Sequence, residues 1–140
     1  MAATHFSGPI VVGSGNDEVV AAATTLTAKD NGKTFFLDAA AGATITLPSG
    51  AVGMRFKFIV TSAFATSNWV VDSAEGDNIS GNLIVAGAHV AAAAEDQINF
   101  VATAESVGDW IELVWDNTNS QWIVFGVAGL TGGITATDPS

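Results

Sequence analysis

The sequence has no cysteine and only four basic residues, Lys29, Lys33, Arg55 and Lys57, among its 140 positions. Without cysteine there is no disulfide, no thiolate metal site and no thiol nucleophile. Stability must then come from packing or from oligomerisation. Fourteen acidic residues bring the net charge to −10. A chain so acidic repels a phosphate backbone and an anionic bilayer, which argues against nucleic-acid and membrane partners. Histidine is nearly absent as well. His5 and His89 are the only two, and they form no His-x-x-x-His pair of the kind zinc sites use. No Gly-x-Ser-x-Gly elbow is present. Gly13-Ser14-Gly15 lacks the lysine of a phosphate loop and reads as a flexible joint. No apolar run is long enough to span a bilayer, and the first residues lack the basic and apolar regions of a signal peptide. No metal, cofactor or catalytic residue is therefore expected, and the chain is read as non-enzymatic.

Charged residues make up 13% of the chain, whereas 49% is apolar. Soluble domains carry about 25% charged residues, so part of this surface is expected to be covered by a partner. The length fits one domain with a core of its own.

Period-two alternation dominates. In 53–60, Met54, Phe56, Phe58 and Val60 share one face, and Arg55 and Lys57 the other. Ile45 and Leu47 alternate with Thr44 and Thr46 before the Pro48-Ser49-Gly50 turn. Residues 109–115 and 121–127 flank a polar Asp/Asn/Thr/Ser turn, the pattern of a β-hairpin. Further strands are expected near 10–12, 34–38, 69–72, 78–85 and 97–103. Helical signals are few: 19–23 and 90–94 are alanine-rich and ambiguous. No long-range repeat is visible. The fold class expected is all-β, an antiparallel sandwich, jelly-roll-like sheet pair or small barrel of about eight or nine short strands. An N-terminal arm over 1–24, a β domain over 25–128 and a flexible tail over 129–140 complete the organisation. The arm carries His5, Phe6, Pro9, Ile10, Val11 and Val12, which is too apolar for an idle extension. These residues are the expected partner-binding group.

Each remaining cluster has a plain structural reading. The acidic loop 72–78 has calcium-type oxygen ligands but reads more simply as a solvated turn. Asp116, Asn117 and Asn119 fit a hairpin turn without a cation. Glu105, Asp109 and Glu112 raise the paired carboxylates of a glycosidase, but a chain with fourteen acids offers such pairs by composition alone. Tryptophan is the most informative group. Trp115 falls on the face of Ile111 and Leu113 and is expected in the core. Trp110 and Trp122 are expected on the opposite face. With Trp69 they are the candidates for an interface or for stacking on a glycan.

The segments 32–40, 43–48 and 53–60 and the hairpin 111–116 with 121–126 resemble small virion proteins of tailed bacteriophages. The likeness is to capsid decoration (cement) proteins and to β-rich fibre modules. It covers about residues 25–127 and consists of strand and turn patterns. It implies a homotrimer bound to the major capsid protein on the outside of the virion, assembled in the host cytoplasm, that stabilises the expanded shell. It brings no catalytic residues. The alternative it leaves open is a fibre or head-fibre module that binds host glycans through exposed aromatic rings. The length of a single module without a repeat shaft favours the decoration protein.

Overall fold

Met54, Phe56, Phe58 and Val60 are all buried, while Arg55 between them is exposed. The same alternation, read from strand to strand, builds the molecule. The computed structural model describes residues 17–74, 76 and 78–139. Within them lie strands Asp17–Val20 (β1), Thr24–Thr25 (β2), Thr34–Leu37 (β3), Thr44–Leu47 (β4), Arg55–Val60 (β5) and Trp69–Ser73 (β6). Next come Ile79–Val85 (β7), Ala88–Glu95 (β8), Gln97–Phe100 (β9), Trp110–Asp116 (β10), Gln121–Ala128 (β11) and Ile134–Thr137 (β12). A 3-10 turn at Ala28–Asp30 is capped by Thr27, whose backbone N–H donates in return to the Asp30 carboxylate. No helix among the described residues is long and apolar enough to cross a membrane.

The strands form two mixed sheets. One has seven strands in the order β1-β3-β5-β10-β11-β7-β8, the other five in the order β12-β9-β6-β4-β2. The first six strands alternate between the sheets, so each lies beside the strand two places earlier and runs parallel to it. Each parallel pair needs a crossover, and here the crossover is a strand of the other sheet. The later strands close the sheets with antiparallel pairs, β10 with β5 and β11, β9 with β6 and β12, and β7 with β8. One continuous core holds side chains from both sheets, among them Phe35, Phe58, Ile111 and Leu83 from the larger and Ile45, Trp69, Ile98 and Phe100 from the smaller. Phe35 stacks on Phe58 with ring centroids 5.3 Å apart, and Trp115 meets Trp122 edge-on at 5.2 Å.

The all-β expectation holds. The antiparallel expectation does not, because half of the fold is a parallel winding whose register steps, Asp17 to Thr34 to Lys57, are unequal. Unequal steps leave no repeat in the sequence. The described strands number twelve rather than eight or nine. The alanine-rich segment 90–94 is part of β8, not a helix. Of its eight residues only Ala92 is buried. This edge strand is held by backbone pairing with β7, so side-chain alternation never marks it. The sheets also begin inside the presumed arm, at β1 and β2. Residues 134–137, expected to be tail, pair with β9 and bury Ile134. The expected strand at 10–12 lies outside the described residues.

A candidate interaction face

Inward and outward positions follow from the register. In β10, Ile111 and Leu113 are buried, so Trp110, Glu112 and Val114 face outward. In β11, Trp122, Val124, Gly126 and Ala128 face inward, so Ile123, Phe125 and Val127 face outward. Directly paired residues of neighbouring strands share a face. One outward row can therefore be followed across the whole larger sheet: Val19, Phe36, Ile59, Trp110, Val127, Ile84 and His89. Six of its seven members are apolar. Beside it runs the row Asp17, Thr34, Lys57, Glu112, Phe125, Asn82 and Ala91. A third, shorter row holds Arg55, Val114, Ile123 and Ser80.

Folding of the single chain leaves much of this apolar surface in solvent. Val19 is 61% exposed, Phe125 46%, Ile84 42% and Val127 41%. Scattered exposed apolar residues are ordinary, but a contiguous set marks a contact surface. Seven strands about 4.8 Å apart give a row about 29 Å long, and three rows make a face about 13 Å deep, or roughly 400 Å² in projection. Lys57, His89 and Asn82 on this face have partners. Lys57 Nζ lies 4.8 Å from the centre of the Trp110 ring, a cation–π contact of about 0.5–1 kcal/mol. His89 Nε2 is 2.6 Å from the Asn82 side-chain oxygen. At the rim, Lys33 bridges Glu18 and Asp30, each at 2.8 Å. These partners hold the Lys33 ammonium above its ordinary pKa, while Lys33 holds the Asp30 carboxyl below the usual carboxylate range.

The expected sites distribute differently. Trp69 and Trp122 are wholly enclosed in the core, which removes both as sugar-stacking rings. Trp122 is the direct partner of Trp115, and so shares its inward face rather than opposing it. Trp110 alone of the three faces outward, half-buried in the row. Trp115 packs against the core as expected. His5, Phe6, Pro9, Ile10, Val11 and Val12 lie outside the described residues.

The three carboxylates have different surroundings. Asp109 is buried and accepts from the backbone N–H groups of Ser106 and Gly129 at 2.9 Å each. Glu105 accepts from the Phe64 N–H at 3.1 Å, and Glu112 stands on the outer face. In the acidic loop, the Ser73 hydroxyl donates to the Asn78 side-chain oxygen, and Glu75 and Asp77 lie outside the described residues. No metal-ligating cluster occurs among the described residues. The Asp116 carboxylate accepts from the Thr118 and Asn119 backbone N–H groups and from the Asn119 and Gln121 side chains. That accounts for the hairpin turn without a cation. The hydrogen bond from the Asn119 side chain, foremost among these, lowers the Asp116 pKa. A recess of about 80 Å³ opens among Gly32, Lys33, Thr34, Arg55, Phe56, Lys57 and Glu112. It has room for two or three waters at about 30 Å³ each, whereas sites for organic ligands need about 300–1,000 Å³.

The sequence does contain the signal for this face. Residues 122–128 are apolar at nearly every position, the pattern of a strand meant to be covered on both sides. No family model, curated protein or solved structure matches the chain.

Proposed function

We propose that this protein is a non-enzymatic structural component of a virion, a decoration protein that attaches to the outside of a capsid shell and stabilises its expanded state. The observation that carries the reading is the apolar row across the outer face of the seven-stranded sheet. A domain that leaves such a row in solvent is built to be covered, and its function is attachment. In this reading the sheets form a two-layer sandwich. The reason is that each keeps two edges, β1 and β8 in one and β12 and β2 in the other, whereas a barrel has none.

The size of the face fits attachment at many sites. About 400 Å² lies well under the roughly 800 Å² per partner of a stable pairwise interface. A single contact of this size is weak, and a trimer carrying three of them gains avidity. A trimer that binds only the expanded shell stabilises that state by linkage. The alternative fibre reading loses two of its three candidate rings to the core.

The test is co-sedimentation with expanded shells of the major capsid protein encoded in the same genome. The full chain is expected to pellet with the shells and to sediment as a trimer. Phe125→Asp with Val127→Asp should leave the unfolding midpoint near that of the parent and abolish pelleting. A parent chain that stays in the supernatant overturns the proposal.

A further inference from the structure

Among the described residues, β1 and β8 stand at the edges of the larger sheet, and β12 and β2 at those of the smaller. An edge strand leaves a row of backbone N–H and C=O groups outside the ladder, and folds guard such rows with shortness, charge or proline. Three of these edges follow that rule. β2 has two residues, β12 has four, and β1 has four that include Asp17 and Glu18. β8 does not. It runs for eight residues, Ala-His-Val-Ala-Ala-Ala-Ala-Glu, with no proline, no lysine and one charge at its last position. Ala88 to Ala92 pair residue for residue with Val85 to Gly81 of β7, and the ladder slips only beyond Ala92, where Ala94 adopts a φ of 61°. The next two strands in the sheet, β7 and β11, contain no Asp, Glu, Lys or Arg. Charge instead lies on β1, β5 and β10. Two copies of a chain of net charge −10 repel one another, and of the two ends of this sheet the β8 end opposes the fewest charges. The strand also complements itself. Directly opposite residues of antiparallel strands share a face, so a two-fold pair that continues the sheet sets one residue opposite its own copy. Centred on Val90, the pair uses the whole regular run: Val90 meets Val90, His89 meets Ala91, and Ala88 meets Ala92. No like charges are opposed, and the alanines leave room for close approach.

We infer that β8 is a contact between copies of this chain: two copies pair their β8 edges antiparallel about a two-fold axis and join their seven-stranded sheets into one. The outward row that ends at Ile84 and His89 then continues across the axis into Ala91, Asn82 and Phe125 of the second copy. A pair of five residues is about 17 Å long and buries far less than the roughly 800 Å² per partner of a stable interface. The contact is therefore weak in dilute solution and forms where copies are concentrated. It is additional to a three-fold contact and does not depend on the attachment reading.

The absence of cysteine makes the test direct. Full-length His89→Cys and Ala91→Cys are oxidised with copper phenanthroline at millimolar chain concentration, each alone and as an equimolar mixture. Val52→Cys, at a residue 79% exposed in the loop between β4 and β5, measures random collision. The mixture is expected to link the two variants to each other at least tenfold faster than Val52→Cys links to itself. It should also outpace either β8 variant alone, because 89 and 91 are opposite in this register. Rates equal to the collision control overturn the inference, and so does faster linking of a single variant than of the mixture. The cysteine-free parent gives a second reading by sedimentation equilibrium. Its mass is expected to double between micromolar and millimolar concentration. His89→Lys with Ala91→Lys sets lysine opposite lysine and should hold the dilute mass, although it brings the net charge from −10 to −8. His89→Glu with Ala91→Lys sets glutamate opposite lysine and should restore the doubling. A parent mass that stays constant, or a double-lysine variant that doubles like the parent, refutes the contact.

Discussion

Gly126 illustrates how a single residue sets the close approach of β10 and β11. It faces inward opposite Ile111, and a Cβ there would lie 2.5 Å from the Trp110 carbonyl oxygen and 2.7 Å from Ile111 Cγ2. The backbone of β10 cannot yield without moving the outward Trp110. Gly126→Ala is therefore expected to lose about 1–3 kcal/mol, measured by urea unfolding. Asp109 acts in the opposite sense, as a buried acceptor for two loop N–H groups. Asp109→Ala strands both donors and is expected to lose about 2 kcal/mol in the same measurement. Asp116 carries a pH signature. Its folded pKa is lowered, so its contribution is present above the unfolded carboxylate value of about 3.9 and fades as pH falls through the lower folded value. The midpoint temperature of Asp116→Ala is expected to fall below that of the parent at pH 7. The gap should close as the pH is taken below the folded value. A gap that persists unchanged at low pH would remove the carboxylate from the account.

At the scale of elements, legibility followed side-chain alternation. The strands at 34–37, 44–47, 55–60 and 110–128 have one buried face and an apolar pattern to match, and each is readable. β8 and β12 are not, because backbone pairing holds them and few of their side chains reach the core. β12 shows the consequence. Ile134 is its one fully buried residue, embedded in a segment that otherwise reads as a tail. Ile134→Ala is expected to cost about 2–4 kcal/mol in chemical denaturation. A free tail would lose less than about 0.5 kcal/mol. The reading of Trp122 failed for a related reason. Alternation gives the parity within a strand, but which parity faces the core depends on the cross-strand register, here Trp115 with Trp122.

At the scale of the molecule, the excess of acidic residues sets the response to salt. The net charge of −10 opposes compaction, and salt shortens its reach from about 30 Å at 0.01 M to about 8 Å at 0.15 M. Raising sodium chloride over that range is expected to stabilise the fold by roughly 1 kcal/mol, or about 4 °C in midpoint temperature. Calorimetry checks it, and a midpoint that falls with salt would show that attractive pairs such as Lys33 with Glu18 and Asp30 outweigh the repulsion. Of the four basic residues, Arg55 and Lys57 stand on the outer face and Lys33 at its rim. This gathers the positive charge beside the apolar row rather than around the molecule.

Composition and local pattern, by themselves, determined that the chain is all-β, that its core strands lie where they do, and that the usual metal, thiol and nucleotide motifs are missing. These follow from residue type and nearest-neighbour spacing, which a linear sequence contains. Only the tertiary structure decided the strand order, the parallel winding between two sheets and the burial of Trp69 and Trp122. It also decided the union of Val19, Phe36, Ile59, Trp110, Val127 and Ile84 into one row. Those residues come from six strands dispersed along the chain, and no local signal records which strands become neighbours. That pairing is set by how the two sheets share a single core.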